Sequence, residues 1–125
     1  MSNPGRPLSP HLQVFRWPIT MLLSILHRVT GIALSLGLVV YVLWLVHAAA
    51  GPEQYQYFRT AMASPPGIVL LVGWTFAFLL HFANGVRHLV WDTGRGFAIS
   101  QLNASAWAAL VFAVLGTAAL WWLTP

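Results

Sequence analysis

The chain has 125 residues, of which 58% are hydrophobic and 6% are charged, and it contains neither cysteine nor lysine. A soluble domain carries about a quarter of its residues as charged side chains, so this composition excludes an ordinary soluble domain and indicates a protein whose solvent is lipid. The formal net charge of +4 is small and its arginines are scattered along the chain, which argues against nucleic acid as a partner.

The N-terminal segment is rich in proline, with four prolines in the first 18 residues. Proline lacks a backbone N–H and interrupts regular structure, so we predict an extended arm over residues 1–17 that lies against a partner. Within this arm, His11 is expected to dock on a soluble partner rather than to bind a metal. The arm has neither the apolar core of a secretory signal nor the Arg- and Ser-rich helix of a transit peptide.

Three segments are long and apolar enough to cross a bilayer as helices, which takes about 20 residues. They are too long for barrel strands and lack the alternation of such strands. The predicted fold is therefore an all-α integral membrane protein, a single membrane-anchor domain over residues 1–125. Its three transmembrane helices are expected at about residues 20–50, 66–91 and 104–123, with connectors between them.

The arginines predict the orientation, because positive residues in short loops favour the cytoplasmic side. Arg6 and Arg16 precede the first span, and Arg87 and Arg95 lie at the second connector, whereas the first connector has only Arg59. We therefore expect the N-terminus and the second connector inside and the C-terminus outside.

Polar residues mark one face of the first helix. Ser24 and Arg28 are one turn apart, His27 follows Ser24 by three positions, and Gly31 and Ser35 continue the stripe. Ionisable residues inside a membrane are costly to bury without a partner, so they are candidates for a functional site.

The second helix carries a similar stripe at its inner end. His81, Gly85, His88 and Asp92 lie at i, i+4, i+7 and i+11, on one face. His81 is expected about 16 Å below Asp92, within the hydrocarbon region. Because the first helix enters the membrane on the side where the second leaves it, we predict that both stripes meet in one polar pocket.

A neutral imidazole in such a pocket is a good ligand for haem iron, and Gly85 would let a flat ring system approach the helix. His81 and His88 are about 10 Å apart along one helix face, so they cannot both bind one iron. A second axial ligand would have to come from another helix or another chain. His27 and Arg28 would then be placed to hold the haem propionates.

The same residues also have simpler interpretations. A membrane histidine often makes an interhelical hydrogen bond, and Arg28 could extend to the lipid headgroups. His47 lies at the expected outer interface, and Gly37, Gly73 and Gly116 are most simply positions of close packing. From the residues alone, a cofactor site at His81 and a purely structural role remain alternatives.

Three motifs carry a family resemblance that covers nearly the whole chain. "RPLSPHL" (residues 6–12), "SILHRVTG" (24–31) and "HFANGVRHLVWDTG" (81–94) closely resemble the cytochrome b subunits of succinate dehydrogenase, one of the two membrane anchors of respiratory complex II. The resemblance implies a second membrane anchor subunit packed against this chain in a helical bundle, an iron–sulfur subunit, and a flavoprotein subunit that oxidises succinate. The chain itself has no cysteine for a cluster and no glycine-rich nucleotide motif, so it is expected to be a non-flavin subunit of the oxidoreductase that is not catalytic alone.

The resemblance also implies roles for individual residues. His81 would be an axial ligand of the iron of haem b, with the other ligand supplied by the partner anchor. Ser24 and Arg28 would line the quinone site, with ubiquinone or menaquinone as the substrate. His27, Arg28 and His88 would lie at or near the haem propionates.

The roles of three further residues stay open at this point. Asp92 would relay protons to the reduced quinone or merely cap the helix end beside Arg95, and Arg87 matches the family motif as support for its neighbours. Two functional alternatives are a fumarate reductase anchor and a haem-free structural scaffold. The lack of a transit peptide favours a bacterial inner (plasma) membrane over a mitochondrial inner membrane.

Overall fold

The computed structural model describes residues 15–123, and within them the chain forms a bundle of four helices without a strand. Three of these helices are long and apolar enough to span a membrane, which confirms the predicted all-α fold with three spans. The predicted orientation remains a prediction, and nearly all of the predicted arm, including His11, lies outside the described residues. The helices are α1 (Ile19–Ala50), α2 (Pro52–Met62), α3 (Pro65–Asp92) and α4 (Ile99–Leu123).

The first connector contains a helix that the sequence analysis did not predict. α2 begins with Pro52, whose fixed φ suits a first helical position, and has Glu53 in its first turn, where the helix dipole favours a negative charge. Gly51 separates α2 from α1 with a φ of 116°, a conformation that glycine adopts without strain. α2 has only eleven residues, and their polarity is mixed. The helical periodicity in so short a segment is too weak to distinguish a helix from a loop.

The last helix begins at Ile99, several residues before the predicted start at about 104. Its first turns carry polar side chains, so the helix extends beyond the apolar run that predicted the span. Gly94 and Gly96 have positive φ values of 77° and 85°. They turn the chain sharply after α3 and let α4 start almost at once.

Small side chains hold α4 against the rest of the bundle. Its buried residues, Ala106, Ala109, Ala113 and Thr117, recur every three or four positions and therefore lie on one face. Small residues let helix backbones approach closely, which is the main source of attraction between helices in lipid. Ala106 and Ala113 pack with Leu23 of α1 and Leu80 of α3 in a single core cluster.

Two of the three predicted close-packing glycines hold helices together within this chain. A Cβ atom at Gly37 would overlap the indole ring of Trp74, and one at Gly116 would come within 2.9 Å of a methyl group of Leu79. Gly73 differs, because a Cβ atom there meets open space. The prediction for Gly73 is therefore wrong for contacts within the described chain.

The bundle exposes much of its apolar surface: Val69, Leu36 and Trp122 are 73%, 67% and 88% exposed, respectively. In a membrane protein such surface contacts lipid or other subunits. The bundle has two distinct ends. At the polar end, α1 begins, α3 ends and α4 begins, whereas α2 lies at the opposite end, which we call the α2 end.

The contact between Gly37 and Trp74 predicts a matched pair of variants. Gly37→Ala should destabilise the bundle by about 1–3 kcal/mol, because an added methyl group must displace a packed indole ring. Gly73→Ala makes the same change where there is space and should leave stability unchanged or slightly raised. The thermal unfolding midpoint in mild detergent measures both, and equal midpoints for the two variants would contradict the packing described.

Candidate functional site

Three histidine side chains meet between α1 and α3 at the polar end. The rings of His27 and His81 are stacked, with centroids 4.0 Å apart and planes 14° from parallel. The ring of His88 meets that of His27 edge-on at 5.1 Å. The structure thus brings together three of the residues that the sequence singled out, from both predicted stripes.

The His81 ring is oriented by hydrogen bonds to α1. Its Nδ1 atom lies 3.1 Å from the backbone carbonyl oxygen of His27 and 3.1 Å from the hydroxyl oxygen of Thr30. A carbonyl oxygen can only accept a hydrogen bond, and the Thr30 hydroxyl is placed to donate its own proton to the carbonyl oxygen of Leu26 at 2.8 Å. Nδ1 is therefore assigned the proton, and the neutral ring keeps a free electron pair on Nε2.

That Nε2 atom is not fully buried. It makes no hydrogen bond within residues 15–123, and it is absent from the buried side-chain atoms that lack a partner there. Gly31 fits closely against the ring, since a Cβ atom there would lie 3.2 Å from Cε1 and 3.8 Å from Nδ1 of His81. One turn along α3, a Cβ atom at Gly85 would meet open space, so a flat group can approach the helix beside His81.

The three histidines do not chelate a metal ion by themselves. Among the described residues, no group of three His, Cys, Asp or Glu side chains is arranged to hold one. Stacking places the faces of His27 and His81 together, whereas a metal binds in the ring plane at a nitrogen. The arrangement instead presents an oriented imidazole nitrogen, that of His81, to a group approaching from outside the chain.

The other predicted site residues lie at the same end, but within the described residues they make no hydrogen bond or ion pair with the histidines. Ser24 and Arg28 are exposed, and their side chains make no hydrogen bond or ion pair within the described residues. With 3.6 residues per turn, Ser24 and Arg28 lie on a part of the α1 surface next to the part that carries His27. Asp92 is also exposed and forms no ion pair with Arg95 in the described part of the chain.

Arg87 lies inside the bundle and points towards α4. It is 8% exposed, and its guanidinium donates to the side-chain oxygen of Asn84 at 2.5 Å, to the hydroxyl of Ser105 at 3.1 Å and to the carbonyl oxygen of Leu102 at 3.4 Å. The guanidinium carbon also lies 4.9 Å from the ring centre of Trp91. Arg87 therefore ties α3 to α4.

Sequence reasoning missed the roles of Thr30, Asn84 and Ser105. Thr30 follows His27 by three positions, a spacing that places both on one helix face, so it was detectable as a neighbour of the pocket. Asn84 is similarly three positions from Arg87. No spacing connects Ser105 to Arg87, since they lie on different helices and meet only in the folded chain.

Comparisons with known proteins agree with these features. Residues 2–120 match the family described as "Succinate dehydrogenase/Fumarate reductase transmembrane subunit". The chain is similar to the succinate dehydrogenase cytochrome b556 subunit of Rickettsia typhi, with 38% identity over 116 residues that cover 93% of this chain and 90% of the relative. It is also similar to the mitochondrial succinate dehydrogenase cytochrome b560 subunit of Bos taurus. The two are 39% identical over 118 residues, which cover 93% of this chain and 70% of the relative.

The Arg87 network predicts a stability effect. Arg87→Leu should destabilise the protein by about 1–3 kcal/mol, because the buried oxygen of Asn84 loses its donor and α4 loses its polar attachment to α3. Arg95→Leu is the matched control, since Arg95 is exposed and its side chain has no partner within residues 15–123. Thermal unfolding in detergent compares the variants, and an unchanged midpoint for Arg87→Leu would contradict the assigned role.

Proposed function

The chain belongs to the family of succinate dehydrogenase and fumarate reductase transmembrane subunits, and from this membership we propose that it is a membrane anchor of a succinate:quinone oxidoreductase. In this role it helps to form the site at which electrons from succinate, delivered through an iron–sulfur subunit, reduce quinone. The observation that carries the proposal is the oriented His81 imidazole at the polar end, the end of the bundle at which α1 also exposes Ser24 and Arg28. A flavoprotein, an iron–sulfur subunit and a second anchor complete the proposed complex.

His81 fits the role of an axial ligand of haem b, a cofactor consistent with the names of the cytochrome b556 and b560 relatives. Ligating histidines usually donate their other ring N–H to a carbonyl or carboxylate, which fixes the tautomer and raises the basicity of the ligand. The bond from His81 Nδ1 to the His27 carbonyl has this form. We propose that any further ligand of the haem iron would come from the other anchor, since the neighbouring imidazole, that of His27, lies stacked on the face of the His81 ring.

When bound, haem b supplies a one-electron carrier near the quinone site. Three residues of this chain would hold its propionates or lie beside them. Arg28 offers a guanidinium without an internal partner, which suits bidentate carboxylate binding. His27 and His88 lie at the same end, in ring contact with each other.

Ser24 and Arg28 fit the role of quinone-binding residues. The Ser24 hydroxyl would donate a hydrogen bond to a quinone carbonyl oxygen, and the Arg28 guanidinium would stabilise negative charge on that oxygen as electrons arrive. Full reduction takes two electrons and two protons and yields the quinol. Asp92 is exposed at the end of α3, and in the proposed function it would pass protons between the aqueous phase and this end of the bundle.

Quinol-driven fumarate reduction is a second candidate function, since the matched family includes fumarate reductase subunits. The two activities use the same site in opposite directions. Rates measured in both directions with the purified complex distinguish them. The protein is a multi-pass membrane protein, and we propose a bacterial plasma membrane as its location, although its relatives include both bacterial and mitochondrial proteins.

The proposed haem ligand predicts a spectroscopic result. His81→Leu should remove the b-type absorbance from the reduced-minus-oxidised spectrum of the purified complex, because leucine has no nitrogen to replace the oriented Nε2 of His81. His47→Leu is the matched control, since His47 lies at the α2 end of α1, and it should retain the spectrum. Normal haem content in a complex with His81→Leu would refute the ligand assignment, and a wild-type complex without haem would favour the scaffold alternative.

The proposed quinone site predicts a kinetic separation. Arg28→Leu should slow succinate-dependent quinone reduction by about tenfold or more, the effect of losing one charged hydrogen bond. Succinate oxidation with an artificial acceptor that bypasses the anchors should remain nearly unchanged. Arg95→Leu serves as the control for loss of a positive charge at the same end. An equal loss in both assays would indicate an assembly defect and contradict the proposed role.

A further inference from the structure

We propose that the α2 end of the bundle is a binding site for one anionic phospholipid, with its phosphate on Arg59 and one acyl chain in an apolar groove between α1 and α3. This site lies at the opposite end of the bundle from the histidines. It consists of a cavity, an adjoining groove and the guanidinium of Arg59, which has no partner within the described residues.

The cavity lies beneath α2 and has a volume of about 580 Å³. Four residues of α2, Tyr55, Phe58, Arg59 and Met62, line it, and their spacing of i, i+3, i+4 and i+7 defines one helix face. The other residues of α2 include four exposed polar side chains, those of Glu53, Gln54, Gln56 and Thr60. α2 is therefore an amphipathic helix of the kind that lies in the membrane interface, with its apolar face over the cavity.

A second cavity of about 390 Å³ continues the first along the bundle, and the two share Val40 and Trp74 as lining residues. Together they extend along α1 from Trp44 to Ala33. At 1.5 Å per residue this distance is about 16 Å, which matches the roughly 15 Å thickness of the hydrocarbon of one leaflet. The groove therefore has the length and the apolar lining that a single acyl chain requires.

Gly73 lines this groove, and a Cβ atom there would meet open space. Its lack of a side chain keeps the groove open, because a larger residue at this position would project into it. This explains why Gly73, unlike Gly37 and Gly116, makes no close contact within the described chain.

Arg59 supplies the charge that selects the headgroup. It is the only charged residue that lines either cavity, and its guanidinium forms no hydrogen bond or ion pair within residues 15–123, with Glu53 or with any other group. Arginine binds phosphate through two parallel charged hydrogen bonds. Tyr41, Tyr55, Trp44 and Trp121 also line the cavity, and such amphipathic aromatic rings are typical of the headgroup level of a bilayer.

A lipid-exchange experiment on the whole complex tests the proposal. The purified complex is stripped of lipid in mild detergent and incubated with equal amounts of phosphatidylglycerol and phosphatidylcholine that have the same acyl chains. Native mass spectrometry then counts each retained lipid. The wild-type complex should retain phosphatidylglycerol in preference to phosphatidylcholine.

Two variants separate the headgroup from the groove. Arg59→Gln should lower phosphatidylglycerol retention about tenfold by removing one charged contact. Gly73→Leu should lower retention of both lipids by filling the groove. Arg95→Gln, at the polar end, and Ala118→Leu, on an exposed part of α4, control for lost charge and added bulk. Haem content and subunit composition should match wild type in all four variants and so verify assembly.

Three outcomes would overturn the proposal. If neither Arg59→Gln nor Gly73→Leu reduced the retention of phosphatidylglycerol, the lipid would bind elsewhere on the complex. A preference for phosphatidylglycerol that persists in Arg59→Gln would refute the role of the guanidinium. Release of quinone, but not of phospholipid, by Gly73→Leu would identify a different occupant.

Discussion

The hydrogen bond between His81 and the α1 backbone is the contact on which the polar end depends. It joins α1 to α3, and it fixes which imidazole nitrogen carries the proton and which remains available. Two neighbours make this geometry possible. Thr30 adds a hydroxyl oxygen beside the same ring nitrogen, and Gly31 lets the ring lie close to α1. The nitrogen that we propose as a haem ligand is therefore oriented in the chain itself, which would lower the cost of binding.

The rest of the bundle holds this junction in place with few buried contacts. Arg87 ties α3 to α4 through charged hydrogen bonds, while the alanines of α4 allow close approach of the backbones. Most large apolar side chains instead remain on the surface. A subunit of this kind is completed by lipid and by other chains, which agrees with membership in a family of transmembrane subunits of a larger enzyme.

The two ends of the bundle have different chemistry. The polar end collects imidazoles and exposed polar residues from α1 and α3, which suits electron and proton transfer to a quinone. The α2 end has an apolar groove and the guanidinium of Arg59, which has no partner within residues 15–123, as the proposed anionic lipid requires. Because the two ends use different residues, the proposed lipid binding at one end and the proposed redox role of the other can be altered separately by substitution.

The sequence by itself determined the class of protein, the three spans and the residues of the polar end. Long apolar runs are decisive because a bilayer requires them, and helical spacing placed His27, His81 and His88 where two helices meet. It did not predict α2, whose short and mixed pattern resembles a loop, or the early start of α4, where polar residues continue the helix beyond the apolar run.

Only the tertiary structure decided which side chains contact each other across helices. Ser105 is 18 positions from Arg87 and Thr30 is 51 positions from His81, and such separations carry no periodic signal. The difference between Gly37 and Gly73 also depends on packing between helices. The indole ring of Trp74 occupies the space beside Gly37, whereas Gly73 borders open space. Periodicity reports the face of a residue on its own helix, whereas the neighbour on that face depends on how the helices pack.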